Sequence, residues 1–202
     1  MNRRTFFGLG LTGLGALALP GNAWALKYFP RPSDKKWAVL YATWCGSARD
    51  AAVWISEGMG GIADAFDVRE DADLRQFDHL IVGSAIRMGK ISPQLQDYLE
   101  KNRLWIKDKV RGLFTVCGNM QRPVTPEVVK SQITDHLAPL CGVKEVPGRV
   151  FLGRVTPILL EPDVREFMKP MGEYDNLKRT ECMAFGREVQ SRIISSEPPR
   201  AA

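Results

Sequence analysis

Short uncharged runs alternate with amphipathic stretches along this chain, the first being "WAVLYAT" (37–43). A nearly continuous apolar run of that length predicts a strand buried on both faces. From Ala48, apolar residues recur at helical spacing through Ala51, Ala52, Ile55 and Met59, and Gly60-Gly61 stops the pattern. Ser47, with Asp50 three residues later, predicts a capping box at the start of that helix. Further strands are predicted at "IADAFDV" (62–68), "HLIVGS" (79–84), "GLFTVCG" (112–118) and "RVFLGRV" (149–155). Ser92-Pro93 opens a second helix, with serine as cap and proline at the first helical position. Its apolar side is Leu95, Tyr98, Leu99 and Trp105 or Ile106. Thr125-Pro126 opens a third, with Val129, Ile133 and Leu137 four apart. A last helix carries Cys182, Phe185, Val189 and Ile193 on one stripe. Residues 156–178 show no clear period and predict irregular or short helical structure.

Strands alternating with helices imply an α/β fold, with a parallel sheet and helices on both faces. Five strands predict a single doubly wound domain over 37–195, in the order 2-1-3-4-5. Ligands then sit beyond the carboxyl ends of strands one and three. Residues 26–36 read as a proline-containing lead-in, and 196–202 as a disordered tail.

The first 25 residues have a different character. Arg3-Arg4-Thr5-Phe6-Phe7 precedes the uncharged "GLGLTGLGALALP", and "AWA" (23–25) follows. A positive start, an apolar middle too short to span a bilayer and an A-x-A end predict an export signal. The paired arginines and glycine-rich middle resemble a twin-arginine signal. The predicted address is the periplasm, reached through the twin-arginine translocase, with a mature protein that does not span the membrane. An ordinary secretory signal and an uncleaved anchor remain the alternatives.

Hydrophobic residues make up 45% of the 202 and charged residues 25%, a globular balance. Removing residues 1–25 takes away Arg3 and Arg4 and no acid, so the net charge falls from +5 to +3. That is too mild to argue for nucleic acid, and no nucleic-acid-binding motif appears. Cys45, Cys117, Cys141 and Cys182 contain no C-x-x-C, and His79 and His136 form no ligand pattern with them. No metal site is expected.

The candidate chemistry begins at "ATWCGSARD" (42–50). Trp44-Cys45-Gly46 is how a thioredoxin active site opens, but Ala48 stands where the second cysteine would be. Dithiol exchange needs a resolving thiol. Cys117 is two strand spacings from Cys45, roughly 9.6 Å, beyond the roughly 7 Å that a disulfide tolerates between Cα atoms. Cys45 as a working thiol stays open, Cys182 reads as inert core, and a Cys117–Cys141 bridge is conceivable. The other reading of the turn is anion binding, because Thr43 to Ala48 lies where a strand meets a helix N-terminus.

There the chain resembles the flavodoxin family, whose first loop, [ST]-x-T-G-x-T, wraps the phosphate of FMN. Thr43 fills the first hydroxyl place and Gly46 the glycine. Cys45 and Ala48 stand where the second and third hydroxyls belong, and Ser47 takes the variable place. Each lost neutral hydrogen bond is worth about 0.5–1.5 kcal/mol, so the resemblance implies weaker FMN binding unless Arg49 or other donors compensate.

Further on, "IVGSAIRMGKISPQLQDYLEKN" (81–102) resembles the quinone-dependent protoporphyrinogen oxidases. Gly83, Ile86, Arg87 and Gly89 match their Gly-x-x-Ile-Arg-x-Gly loop, and "FTVCGNMQRP" (114–123) falls at their other flavin-flanking loop. The resemblance covers 37–155 and implies a flavodoxin-like fold. It implies that FMN is contacted by Thr43, Trp44, Cys45, Gly46, Ser47 and Ala48, and by Ser84, Ala85, Ile86, Arg87, Met88 and Gly89. Cys117, Gly118, Asn119, Met120 and Gln121 complete the implied set. Gly83 and Gly89 supply backbone freedom beside the ring. Arg87 is the candidate catalytic residue, a cation favouring reduced flavin; it also reads as a solvated loop residue. The implied function is an exported FMN oxidoreductase, with a quinone or a redox protein as partner. A carrier without its own substrate, and a binding module that has lost FMN, are the alternatives.

Overall fold

The apolar runs fold as a parallel sheet in the computed structural model, which describes residues 33–118 and 123–196. The export signal (1–25), most of the lead-in, Asn119, Met120, Gln121 and the tail from 197 lie outside the described residues.

The strands are β1 (Trp37–Ala42), β2 (Ala63–Asp67), β3 (His79–Arg87), β4 (Lys90–Ile91), β5 (Val110–Cys117) and β6 (Gly148–Leu152). Five of them run parallel in the order β2-β1-β3-β5-β6, the predicted doubly wound order. β1 lies centrally: Val39 is in register with Ala65 on one side and Ile81 on the other. All six of its residues are buried, as a strand covered on both faces requires.

Helices cover the two faces. α1 (Ser47–Gly58) and α6 (Arg179–Ser196) enclose one core, where Phe114, Phe151 and Phe185 pack with ring centroids 6.1 and 6.0 Å apart. Cys182, Phe185 and Val189 are buried in it, as the stripe on α6 predicts. α2 (Pro93–Ile106) and the helix from Pro126 enclose the other core, with Leu95, Leu99, Ile133 and Leu137 inside.

Local structure corrects several expectations. The predicted capping box at Ser47 does not form. Gly46 occupies the N-cap in a left-handed conformation (φ 89°) with no side chain to offer, and Asp50 turns to arginines instead. Ser92 does not cap α2 through its side chain; its hydroxyl donates to Gln94 Oε1 at 2.7 Å. β3 runs three residues past its predicted end. Met88 (φ 50°) and Gly89 (φ 76°) both adopt positive φ, as a tight hairpin turn requires, so β3 folds back onto the unpredicted antiparallel β4. Gly83 has no unusual φ. It is glycine because a Cβ there would lie 2.1 Å from the Phe114 ring.

The third predicted helix is α3 (Pro126–Val129), a π-helical stretch Lys130–Leu137 and α4 (Ala138–Cys141) in succession. After β6 come a 3-10 turn Pro157–Leu159, α5 (Pro162–Met168) and a second 3-10 turn Lys169–Met171, the short helical structure expected there. The four cysteines are free: Cys117, Cys141 and Cys182 are buried, and Cys45 is half-buried.

Candidate functional site

β1 ends at Ala42, and the chain turns at Thr43–Gly46 into α1. Thr43 Oγ1 accepts the Gly46 N–H at 3.0 Å and closes the turn. Asp50 N–H donates to Gly46 O at 3.0 Å, the first main-chain bond of the helix. The N–H groups of Ser47, Ala48 and Arg49 precede any intrahelical acceptor, and Gly46 supplies no side-chain cap. A helix N-terminus in that condition favours an anion.

The side chains of the turn are engaged elsewhere. Ser47 Oγ donates to Arg154 O at 3.0 Å, and Cys45 Sγ to the same oxygen at 3.4 Å. Arg49 folds back over Gly46 and pairs with Asp50 at 2.9 Å. Arg154 takes the other oxygen of Asp50. Two guanidinium groups on one carboxylate leave a net positive charge beside the helix start. Trp44 Nε1 and Arg154 Nε are buried donors with no hydrogen-bond partner, an arrangement that costs free energy until an acceptor arrives.

This turn forms one wall of a cavity of about 680 Å³ beyond the carboxyl ends of β1, β3, β5 and β6. The size lies within the usual range for organic ligands, ~300–1,000 Å³. The β3–β4 hairpin gives a second wall, with Ala85, Ile86, Arg87, Met88 and Gly89. Arg87 Cζ stands 4.7 Å from the Trp44 ring centroid. Its Nη1 lies 3.2 Å from Glu161 Oε2. Cys117, Gly118 and Gln132 form a third wall. Thr115 Oγ1 donates to Gln132 Oε1 at 2.7 Å, and Gln132 Nε2 donates to Cys117 Sγ at 2.7 Å. Burial pushes the Cys117 thiol up, against a smaller lowering by Gln132, so the thiol is neutral. The last wall comes from the segment after β6, including Arg154, Leu159, Glu161, Phe167 and Tyr174.

The structure brings together Thr43, Trp44, Cys45, Ser47, Ala85 to Gly89, Cys117 and Gly118 around this space. Gly46, Ala48 and Ser84 lie beneath the lining. Ser84 is fully buried, donates to Ala85 O and accepts the Ser92 N–H. Asn119, Met120 and Gln121 fall outside the described residues. Sequence reasoning missed Gln132, whose position depends on a π-helical stretch, and Arg154, a single cation at a strand end. It also missed the whole wall after β6. The one available signal was Ile158, Leu159 and Phe167 recurring in a segment without a core period.

Among known proteins, the flavodoxin domain family matches residues 38–156, more than half of the chain. No curated protein matches in sequence. Among solved structures, the chain is similar to the flavodoxin, WrbA-like protein from Agrobacterium tumefaciens, with TM-score 0.52 and 16% identity over 81% of this chain and 100% of that one. It is similar to two-electron reduced Megasphaera elsdenii flavodoxin, with TM-score 0.50 and 13% identity over 77% of this chain and 98% of that one. It is also similar to the metal-soaked Flv1 flavodiiron core from Synechocystis sp. PCC6803, with TM-score 0.49 and 16% identity. That match covers 80% of this chain, which spans only 36% of the flavodiiron core.

Proposed function

Because this chain belongs to the flavodoxin domain family, we propose that it binds FMN non-covalently and works as a flavin-dependent oxidoreductase. The observation that carries this reading is the join of an anion-seeking turn to an organic-sized cavity at the carboxyl ends of the strands. The residues present fit the group in a particular way. Main-chain N–H groups of 47–49, with Arg49 beside them, would hold the phosphate, since Cys45 and Ala48 bring no hydroxyl and Ser47 is committed to Arg154. The buried, unsatisfied donors of Trp44 and Arg154 are further candidates for an acceptor. Ile86, Arg87, Met88 and Gly89 would flank the ring on one side and Cys117 and Gly118 on the other.

Bound FMN supplies hydride and single-electron transfer. The chain's own contribution is to orient that group, to keep water away through its apolar walls, and to hold the Arg87 cation near developing negative charge. Arg87 is half-buried, and stacking on Trp44 fixes its direction.

The finer reading is a dehydrogenase that takes electrons from an organic donor and passes them to a quinone. The Gly83-x-x-Ile86-Arg87-x-Gly89 loop, with its likeness to quinone-dependent protoporphyrinogen oxidases, supports it. We place the mature protein in the periplasm, on the strength of Arg3-Arg4 and the "AWA" at 23–25. Among the described residues no helix is long and apolar enough to cross a membrane.

Anaerobic reduction of the FMN-loaded protein, followed by mixing with a short-chain quinone, tests this function. Rapid reoxidation with saturable quinone dependence is the expected result. Reoxidation by a redox protein but not by quinone would reassign the chain as a carrier. Protein that stays colourless after incubation with FMN would remove the flavin altogether.

A further inference from the structure

The segment between β6 and α6 leaves and rejoins the body at one narrow base. Arg154 and Asp175 form an isolated antiparallel bridge. Val155 N–H donates to Tyr174 O at 3.0 Å, and Asn176 N–H to Gly153 O at 3.1 Å. Chain ends joined this way close a compact excursion that contains α5. The excursion is also bound to itself. Arg165 Nε donates to Pro157 O at 2.9 Å, and its Nη2 to Leu160 O at 3.0 Å. So Arg165 ties α5 to the 3-10 turn before it.

Its attachment to the body is slight by comparison. No described side chain from 154 to 176 is buried. Ile158 is 80% exposed and Phe167 64%. One polar contact that reaches across the cavity is Glu161 Oε2 to Arg87 Nη1 at 3.2 Å, a pair 34% and 61% exposed from the arginine and glutamate sides. An ion pair so open to water is weak. Beside the cavity, Trp44 Nε1 and Arg154 Nε are buried without acceptors, so the site holds unmet donors for an entering ligand.

We propose that residues 157–171 are a flap over the cavity, hinged at 153–155 and 174–176 and latched shut by Glu161 on Arg87, so that Glu161 controls entry. Glu161 acts here through Arg87 and is a positioning residue. An incoming anion draws Arg87 away from Glu161, and the flap is released as the ligand arrives. The inference rests on this cavity being the binding site of the flavin reading above, yet it can be read out without flavin. Cys45 lines the cavity under the hinge and is the only cysteine among the described residues that is not buried.

The test is the rate at which N-ethylmaleimide, an uncharged reagent, alkylates Cys45, followed by peptide mass spectrometry. Wild type, Glu161→Gln and Glu166→Gln are compared at low and high salt. Glu166 pairs with Lys169 inside the flap and serves as the control. At low salt Glu161→Gln should react about two- to fivefold faster than wild type. Salt should bring the wild-type rate up to that of the variant by screening the latch, while Glu166→Gln follows wild type. Equal rates for Glu161→Gln and wild type, or equal acceleration by both substitutions, would overturn the flap. Failure of FMN to bind leaves this labelling pattern as predicted. Equal labelling with FMN still bound removes the flap alone.

Discussion

The two sides of the cavity are built in opposite ways. On one side stand β1, β3 and β5, where Leu40, Ile81, Leu113 and Phe114 are at most 1% exposed and neighbours are fixed by strand register. On the other stands the 154–176 segment, with no described side chain buried and its shape held by Arg165 and by its pinned base. The first side can set the position of an anion-binding turn closely, because burial couples each residue to many others. Beyond its pinned base, the second side buries no described side chain that would resist displacement, as the proposed flap requires. A rigid seat facing a loosely held cover is what a site that must admit and then enclose a ligand requires.

The largest test of that contrast is Phe114→Ala, which should lower unfolding free energy by about 3–5 kcal/mol through transfer and cavity terms. Denaturant titration measures it, and a loss below that of ordinary surface changes would break the contrast. Gly83→Ala should cost ~1–3 kcal/mol, because the new methyl meets the Phe114 ring. Alkaline pH acts on the same rigid side of the molecule. Burial pushes the Cys141 and Cys182 thiols up to about 12, above the ~8.5 of an unfolded cysteine. Their contribution to stability is therefore complete below the unfolded value and is lost as pH rises towards 12. Denaturant midpoints should hold level from pH 6 to 8 and fall above about 9.

Smaller effects sharpen the boundary between the two sides. Asp50→Asn removes the carboxylate that ties Arg49 and Arg154 together, at a cost of ~1 kcal/mol for a pair only partly screened by water. The same change removes negative charge beside the start of α1, so FMN affinity should rise while stability falls. A fall in both would mean that Asp50 shapes the turn rather than setting its charge. Phe167→Ala, on the cover, should change stability by less than about 0.5 kcal/mol.

The rigid side was also the readable side. Uncharged runs such as "WAVLYAT" and "HLIVGS" announce buried strands because a strand covered on both faces has no place for charge. Helical spacing from Ala48 to Met59 does the same for α1. What escaped depends on single backbone or side-chain choices. Gly46 takes the N-cap of α1 in the left-handed region, so a Ser–Asp spacing that looks like a capping box is not one. Met88 adopts positive φ, which nothing in its chemistry advertises, and β4 follows from that. Gln132 reaches Cys117 from a π-helical stretch, a winding that leaves no mark on a four-residue apolar spacing. The cover has no core-facing stripe, so periodicity could not describe it. Its ties to the body join residues far apart in sequence, Glu161 to Arg87 being 74 apart.

The most direct measurement compares FMN with riboflavin by flavin-fluorescence quenching on the purified protein. The two ligands differ only in the phosphate, the group assigned to the main-chain amides at the start of α1. Charge-assisted hydrogen bonds are worth about 1.5–3 kcal/mol each, so two of them predict that riboflavin binds at least roughly a hundredfold more weakly. Equal affinity for the two, or no saturable quenching by FMN, would contradict the assignment.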